Sequence, residues 1–244
     1  HKVNGGLEGL SWIRVVLPTF LLSFSFLTIM AKWIVIGRYR PQQIRAYSVP
    51  YLRWWFVDRL VHLWEFWIGI YIIDTPFIWL FYRLMGAQIR PRTRLQTFIR
   101  EFDLVKIGRN TKIKHPIRAR RFGPWTDNDN GGGGPTLRFR HVTIGNGCLV
   151  DGMVSLGANV GDNVTVEKMS SLSEGAQVSS GSLLRGNPAF DAGKSSATNP
   201  HSVSVFLQAL KVGWLILELY LFYVLFYASQ LVLEGIDLWS GWRY

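Results

Sequence analysis

The chain has 244 residues and a formal net charge of +11, and 48% of its residues are hydrophobic and 14% aromatic, with eleven tryptophans among them. Its single cysteine, Cys148, excludes an intrachain disulfide framework and a metal site built from several thiolates. No nucleic-acid recognition motif accompanies the positive charge, so we expect no nucleic acid as a partner.

An apolar stretch covers residues 15–36 and contains one charge, Lys32. It is long enough to cross a hydrocarbon core of about 30 Å, and it lacks the small-residue cleavage site of a signal peptide. We therefore predict a transmembrane helix followed by a basic cytoplasmic loop over residues 1–50. The sequence begins with His1 rather than Met, which indicates a fragment of a longer protein.

Residues 51–86 are also apolar, but charged residues interrupt them and Pro76 breaks any long helix. Together with the tryptophans and tyrosines, this pattern predicts amphipathic helices lying in the membrane interface, with a re-entrant hairpin as the alternative. The basic regions at 37–53 and 83–121 would then both face the cytoplasm. Anionic membrane lipids are the expected partner of these arginines, each worth about 1 kcal/mol.

The segment 87–192 has a period of six residues. One aliphatic residue per repeat is typical of a parallel β-helix, in which each repeat forms one side of a triangular coil and the aliphatic side chains form an interior column. With one slip of four residues after Leu156, the steps of six reach Ile144, Val150, Leu156, Val160, Val166, Leu172, Val178 and Leu184.

The same period appears more weakly upstream, at Ile89, Leu95, Glu101, Ile107 and Ile113. Glu101 interrupts the aliphatic column there. Between the two blocks, the four glycines at 131–134 carry high backbone freedom. We predict that residues 114–143 form a loop ejected from the β-helix, on its binding face.

At the C-terminal end, residues 193–244 are predicted to be a linker and a second transmembrane helix at 212–233. Glu218 would lie in the middle of the membrane, where a carboxylate is either functional or paired with another polar group. The prediction is thus a mixed, multi-pass membrane protein with a cytoplasmic β-helix and both termini on the opposite side.

Several motifs resemble known families. The repeats and the run SSGSLLRGNPAF at 179–190 resemble the hexapeptide-repeat acyltransferases, which are left-handed β-helices. Ordered motifs resemble the membrane-embedded C-terminal region of the ε-poly-lysine synthetase family and related proteins that are similar to non-ribosomal peptide synthetases. These motifs are AKWIVIGRYRP (31–41), YLRWWFVDRL (51–60), DTPFIWLFYRLMGAQI (74–89) and EFDLVKIG (101–108).

This resemblance implies an acyltransferase-type module that passes an acyl or aminoacyl group from a thioester to an amine or hydroxyl. The donor would be acyl-CoA or a phosphopantetheine arm, with no tightly bound cofactor. The implied partners are the carrier and adenylation domains of a longer chain, and neighbouring β-helices in a trimer or pseudo-trimer. The alternative is a non-catalytic β-helix that serves as a scaffold or as an export and assembly platform at the membrane.

Acyl transfer needs a base close to the attacking atom. We predict His115 in this role, with His141 as the second candidate and a surface histidine in a basic stretch as the alternative. The family places acidic residues just after its histidine, whereas Pro116, Ile117 and Arg118 follow here.

Four further residues are candidates for substrate binding. Glu101 and Asp103 could receive the ammonium of an amino-acid substrate, or pair with a nearby arginine. Gly186 and Asn187 are turn formers that could also line a pantetheine groove. No metal site is predicted, because three histidines do not converge within the repeats.

Overall fold

The computed structural model describes residues 2–124 and 135–195 and part of 207–232, with side chains from residue 19 onward. The chain divides into two compact units, His1–Ser23 with Val205–Tyr244, and Phe24–Ser204. The β-helix belongs to the second unit.

Three parallel sheets form the three faces of the β-helix. The first face contains β2 (Gln88–Ile89), β5 (Val105–Ile107), β10 (Val142–Ile144), β12 (Asn159–Val160) and β14 (Gln177–Val178). The second contains β3 (Arg94–Leu95), β6 (Lys112–Ile113), β11 (Leu149–Val150), β13 (Thr165–Val166) and β15 (Ser182–Arg185), with β16 (Phe190–Lys194) antiparallel at its edge. The third contains β4 (Ile99–Arg100) and β7 (Ile117–Arg118), continued by the bridges Ile117–Val154 and Met153–Ser171.

The aliphatic residues of the six-residue period lie inside the coils. On the first face, Ile144 pairs with Ile107 on one side and with Val160 on the other. All three side chains are buried, with at most 2% of their surface exposed. The predicted β-helix is confirmed, because burial is continuous along columns that no single repeat could form alone.

Glu101 does not belong to a column. On the third face the inward position comes four residues after that of the second face, so that Ile99 follows Leu95 and Ile117 follows Ile113. Ile99 and Ile117 are fully buried. The apparent interruption at Glu101 therefore comes from a shorter step at this corner. Glu101 is the residue directly after the strand, and its backbone has φ 52°.

The corner between the first and second faces is tightly packed. Arg92, Asn110 and Asn163 occupy equivalent positions there with positive φ, and Gly147 is in the same row. Asn and Gly adopt this backbone conformation more readily than other residues do. Two residues earlier, a row of glycines brings the backbones of neighbouring coils into close contact.

A β-hairpin leaves the solenoid between its second and third coils. Its strands, β8 (Arg120–Pro124) and β9 (Pro135–Phe139), are antiparallel, and β1 (Gln42–Arg45) extends them to a three-stranded sheet. Within the segment predicted as an ejected loop, residues 117–118 and 142–144 are coil strands, and the glycines at 131–134 lie outside the described residues.

The helices are α1 (Lys2–Val35), α2 (Val49–Trp64), a π-helix (Glu65–Gly69), α3 (Ile70–Ile72) and α4 (Pro76–Leu84), and a 3-10 turn covers Phe102–Leu104. Trp64 stacks on Phe81 with ring centroids 3.5 Å apart. The fully buried Tyr82 accepts a hydrogen bond at its hydroxyl from the backbone N–H of Ile99, at 3.2 Å. Helices α2 and α4 thus pack together, and α4 packs on the start of the β-helix.

The prediction of a multi-pass membrane protein is wrong. Within the part of the chain that the structure describes, no helix has the length and apolar character needed to cross a membrane. The first four residues of the predicted span 15–36 lie outside the described side chains. Lys32, which was assigned to the end of a spanning helix, is fully buried and pairs with Asp103 at 2.7 Å. The predicted fold class, a mixed membrane protein, and the predicted membrane localisation are therefore not supported.

The acidic residues that interrupt 51–86 have protein partners. Asp58 and Glu65 are buried and bind arginines of the β-helix, so they do not mark a face toward lipid headgroups. The predicted helix at 212–233 includes positions outside the described residues. Glu218 is described, is exposed, and accepts a hydrogen bond from Trp214 Nε1 at 2.6 Å.

Candidate functional site

A cavity of about 680 Å³ extends along the third face of the β-helix. Successive coils and the base of the hairpin contribute its walls. It is lined by His115, Pro116, Arg118, Arg120, Arg121, Met153, Val154, Ser155, Leu156, Ser171, Leu172, Ser173, Glu174, Asn187 and Pro188.

His115 lies two residues after the end of β6 and lines this cavity. Because Ile113 pairs with Val150, the next residues, Lys114 and His115, lie beside Asp151 on the neighbouring coil. His115 Nε2 is 3.9 Å from Asp151 Oδ1, and Lys114 Nζ donates to Asp151 Oδ2 at 2.5 Å. The carboxylate is therefore held on one side by an ammonium and faces the imidazole on the other.

This arrangement suits proton transfer. The His115 side chain is 44% exposed, whereas that of Asp151 is 12% exposed. A half-exposed imidazole can reach a ligand in the cavity, with the Asp151 carboxylate 3.9 Å from its Nε2.

Three arginines give the cavity a positive wall. Arg120 binds Asp58 at 2.8 Å and Glu101 at 2.6 Å, and Arg121 binds Glu174 at 3.0 Å. Arg118 is exposed and has no carboxylate partner among the described residues. Arg118 is thus the cation of this wall that is available to an anionic group of a ligand.

A buried ionic network lies behind this wall. Arg100 joins Asp58 at 3.3 Å and Glu65 at 2.5 Å. Burial raises the pKa of Glu65 to about 7, although Arg100 opposes the change. Burial also raises the pKa of Glu101, against the pull of Arg120. Through Asp58 of α2, the network holds Arg120 against this helix, on the side away from the cavity.

The structure brings two of the predicted site residues into one cavity, His115 and Asn187. Gly186 adjoins them, with φ +93° and a carbonyl that accepts from the N–H of Ser171 at 3.1 Å. His141 is exposed just before β10 and does not line the cavity.

Glu101 and Asp103 lie elsewhere, within the protein. Glu101 is 2% exposed and accepts hydrogen bonds from Arg120 and from Trp54 Nε1, the latter at 3.3 Å. Asp103 pairs with Lys32 and accepts the backbone N–H of Tyr39 at 3.0 Å. Both carboxylates have internal partners, so a substrate ammonium would have to compete with these.

Asp151 was not identified from the sequence. It stands in the motif VDGMVS, one residue after a column position, as Lys114 does in KIKHP. Aligning the two column positions across the inserted hairpin would have placed the acid beside His115. The family pattern has its acidic residues next to the histidine in the chain, whereas here the acid comes from the next coil.

In the described ranges, no three side chains of His, Cys, Asp or Glu lie close enough together to hold a metal ion. Cys148 is fully buried, and burial raises the pKa of its thiol to about 11. The thiol therefore stays protonated and is a poor ligand or nucleophile at neutral pH.

Comparison with known proteins gives a partial similarity. No model of a protein family matches the chain. The chain is similar to the delta-poly-L-ornithine synthetase of Acinetobacter baumannii (strain AB307-0294). The alignment extends over 170 residues, covers 66% of this chain and has 25% identity. The matched region is 12% of the length of that protein. The similarity and the fold together fit a hexapeptide-repeat β-helix related to part of a peptide-synthetase-like protein.

Proposed function

We propose that the chain is an acyltransferase-type module that passes an acyl or aminoacyl group from a thioester to an amine. The observation that carries this proposal is the proximity of Asp151 to His115, which lines the cavity on the third face. A histidine base with a carboxylate close to it, beside a cavity large enough for a ligand, is suited to acyl transfer.

In the proposed reaction, the acceptor nitrogen attacks the thioester carbonyl while His115 takes its proton. The C–N bond forms as the C–S bond breaks, and the imidazolium returns the proton to the departing thiolate. Asp151 stabilises the imidazolium between these two steps. No redox partner or metal is needed.

The cavity favours an anionic donor. Among the described residues Arg118 has no carboxylate partner, and a phosphate or carboxylate of the donor would match it in charge. A CoA or phosphopantetheine thioester carries such a phosphate. The similarity to a poly-L-ornithine synthetase supports an aminoacyl group as the transferred unit and an amine as the acceptor.

The test is a transfer assay with a radiolabelled ornithyl thioester of phosphopantetheine as donor and L-ornithine as acceptor. We expect amide formation by the unmodified protein and a loss of about 10²–10⁴-fold in His115→Gln, the usual contribution of a general base. The matched control is His141→Gln, which changes the same residue type outside the cavity and should keep the full rate.

Equal rates in His115→Gln and the unmodified protein would contradict the assignment of the base. Absence of transfer from ornithyl, lysyl and acetyl thioesters alike would favour a non-catalytic scaffold instead. Thermal unfolding of both variants provides the check that each is folded.

A further inference from the structure

A second groove, of about 610 Å³, lies on the opposite side of the second face from the His115 cavity, at the corner between the first and second faces. It begins at the end of α4 and extends over the first three coils. Four cationic side chains line it: Arg83, Arg90, Lys106 and Arg109. No acidic residue is part of its wall.

These four cations differ in their ion pairing from most other arginines and lysines in and around the β-helix. Arg94, Arg100, Arg120, Arg121 and Arg185 each bind a carboxylate. In the described part of the chain, none of the four groove cations forms an ion pair, and all four are exposed. The nearest acid in the same corner row is Asp162, which accepts from the N–H and the amide of Asn146 at 2.6 and 3.0 Å.

The backbone that carries two of these cations is held rigidly. The buried Thr93 donates to the carbonyls of Arg90 and Gly108, at 2.7 and 2.8 Å. The buried Thr111 repeats this contact one coil later, toward Arg109 at 3.3 Å and Gly145 at 2.8 Å. The N–H of Arg109 is also bound, by Asn146 Oδ1 at 2.9 Å. Little backbone ordering would therefore be needed on binding.

Two glycines belong to the wall of the groove, together with Thr143 and Asn146. Gly108 and Gly145 lie on neighbouring coils, and a Cβ at Gly108 would come within 2.5 Å of the Gly145 carbonyl. A volume of this size is typical of sites for small molecules and cofactors.

We propose that this groove binds a diphosphate group. A single phosphate carries about 1.5–2 negative charges at neutral pH, which would leave a group of four cations partly unneutralised. Two linked phosphates match the charge, and arginine binds phosphate oxygens in a bidentate manner. The site is separate from the His115 cavity and does not depend on the function proposed for it.

The test is calorimetric titration of the full chain with inorganic pyrophosphate and with orthophosphate. We expect pyrophosphate to bind at least tenfold more tightly than orthophosphate. Lys106→Gln and Arg109→Gln should each weaken pyrophosphate binding about tenfold. The thermal unfolding midpoint should not change, because neither side chain pairs with a carboxylate in the ranges that the structure describes.

The matched control is Lys168→Gln, which removes the same charge from an exposed lysine outside the groove. Its affinity for pyrophosphate should equal that of the unmodified protein. The proposal is overturned if Lys168→Gln weakens binding as much as Lys106→Gln, because the attraction is then only that of the net charge. It is equally overturned if pyrophosphate does not bind or binds no better than orthophosphate.

Discussion

The imidazole of His115 and the carboxylate of Asp151 come from neighbouring coils, and their closest atoms are 3.9 Å apart. A whole β-hairpin separates the two residues in the chain. They meet because β6 and β11 pair in parallel with Ile113 opposite Val150, so that the residues after each strand share one corner. The stacking of coils, rather than a local sequence motif, assembles the pair.

Asp151→Asn should therefore lower the rate of acyl transfer by about tenfold or more with little change in KM, since the carboxylate acts through His115 and does not need to touch the substrate. Glu167→Gln is the matched control. Glu167 occupies the same corner one coil further on, where it binds Arg185 at 2.6 and 2.7 Å instead of a histidine. An equal loss of rate in both variants would mean that the corner charges act on stability alone.

Ile113 tests the interior column directly. Its side chain is fully buried between Leu95 and Val150. Ile113→Ala should lower the free energy of unfolding by about 2–5 kcal/mol, because it removes buried methyl groups and leaves a cavity. Urea denaturation measures the change. Substitution of the outward-facing neighbour, Lys112→Ala, should have a much smaller effect, and similar losses at both positions would contradict the assignment of faces.

The glycine row makes a separate prediction about coil spacing. A Cβ on Gly145 would come within 2.5 Å of the Gly161 carbonyl oxygen and 2.4 Å of Asp162 Oδ1. Gly145→Ala should therefore destabilise the protein by about 1–3 kcal/mol through overpacking. Ser179 occupies the equivalent position on the last coil, so Ser179→Ala is the control and should leave the unfolding midpoint nearly unchanged. A stable Gly145→Ala variant would show that the coils can separate at this corner.

The β-helix could be predicted from the sequence because the six-residue spacing of aliphatic residues recurs from repeat to repeat. Ile144, Val160 and their partners each bury one aliphatic side chain, and no other regular structure places such residues six apart. The hairpin could not be predicted in this way, since β9 pairs with β1, a strand far from it in the chain, as well as with β8.

The membrane prediction failed for a related reason. Apolar composition does not distinguish a helix in lipid from a helix packed against protein. The partners of Lys32, Asp58 and Glu65 decide between the two, and these are Asp103 and the arginines of the β-helix. His115 and Asn187 could be proposed as candidates from the sequence because each is next to a recognisable repeat or turn, and their roles stay predictions. Asp151 could not be proposed in this way, because the inserted hairpin separates it in the chain from the coil that it contacts.

Glu65 should make the stability of the protein depend on pH in an unusual direction. Its side chain is 5% exposed, Oε2 accepts from Arg100 at 2.5 Å, and Oε1 has no hydrogen-bond partner among the described residues. Burial raises the pKa of Glu65 from 4.5 to about 7. The folded protein therefore keeps a proton on this group between these two pH values, whereas the unfolded chain releases it.

It follows that the contribution of Glu65 is fully present below about pH 4.5 and is lost as the pH rises through about 7. Each unit of pKa difference corresponds to about 1.4 kcal/mol. We expect the free energy of unfolding of the unmodified protein to fall across this range relative to that of Glu65→Gln, which cannot titrate. Denaturation curves at a series of pH values measure the difference.

Glu167→Gln should follow the unmodified protein over the same range, because Arg185 lowers the pKa of that carboxyl below its usual value. Parallel pH profiles for Glu65→Gln and the unmodified protein would show that Arg100 keeps Glu65 ionised in the folded state.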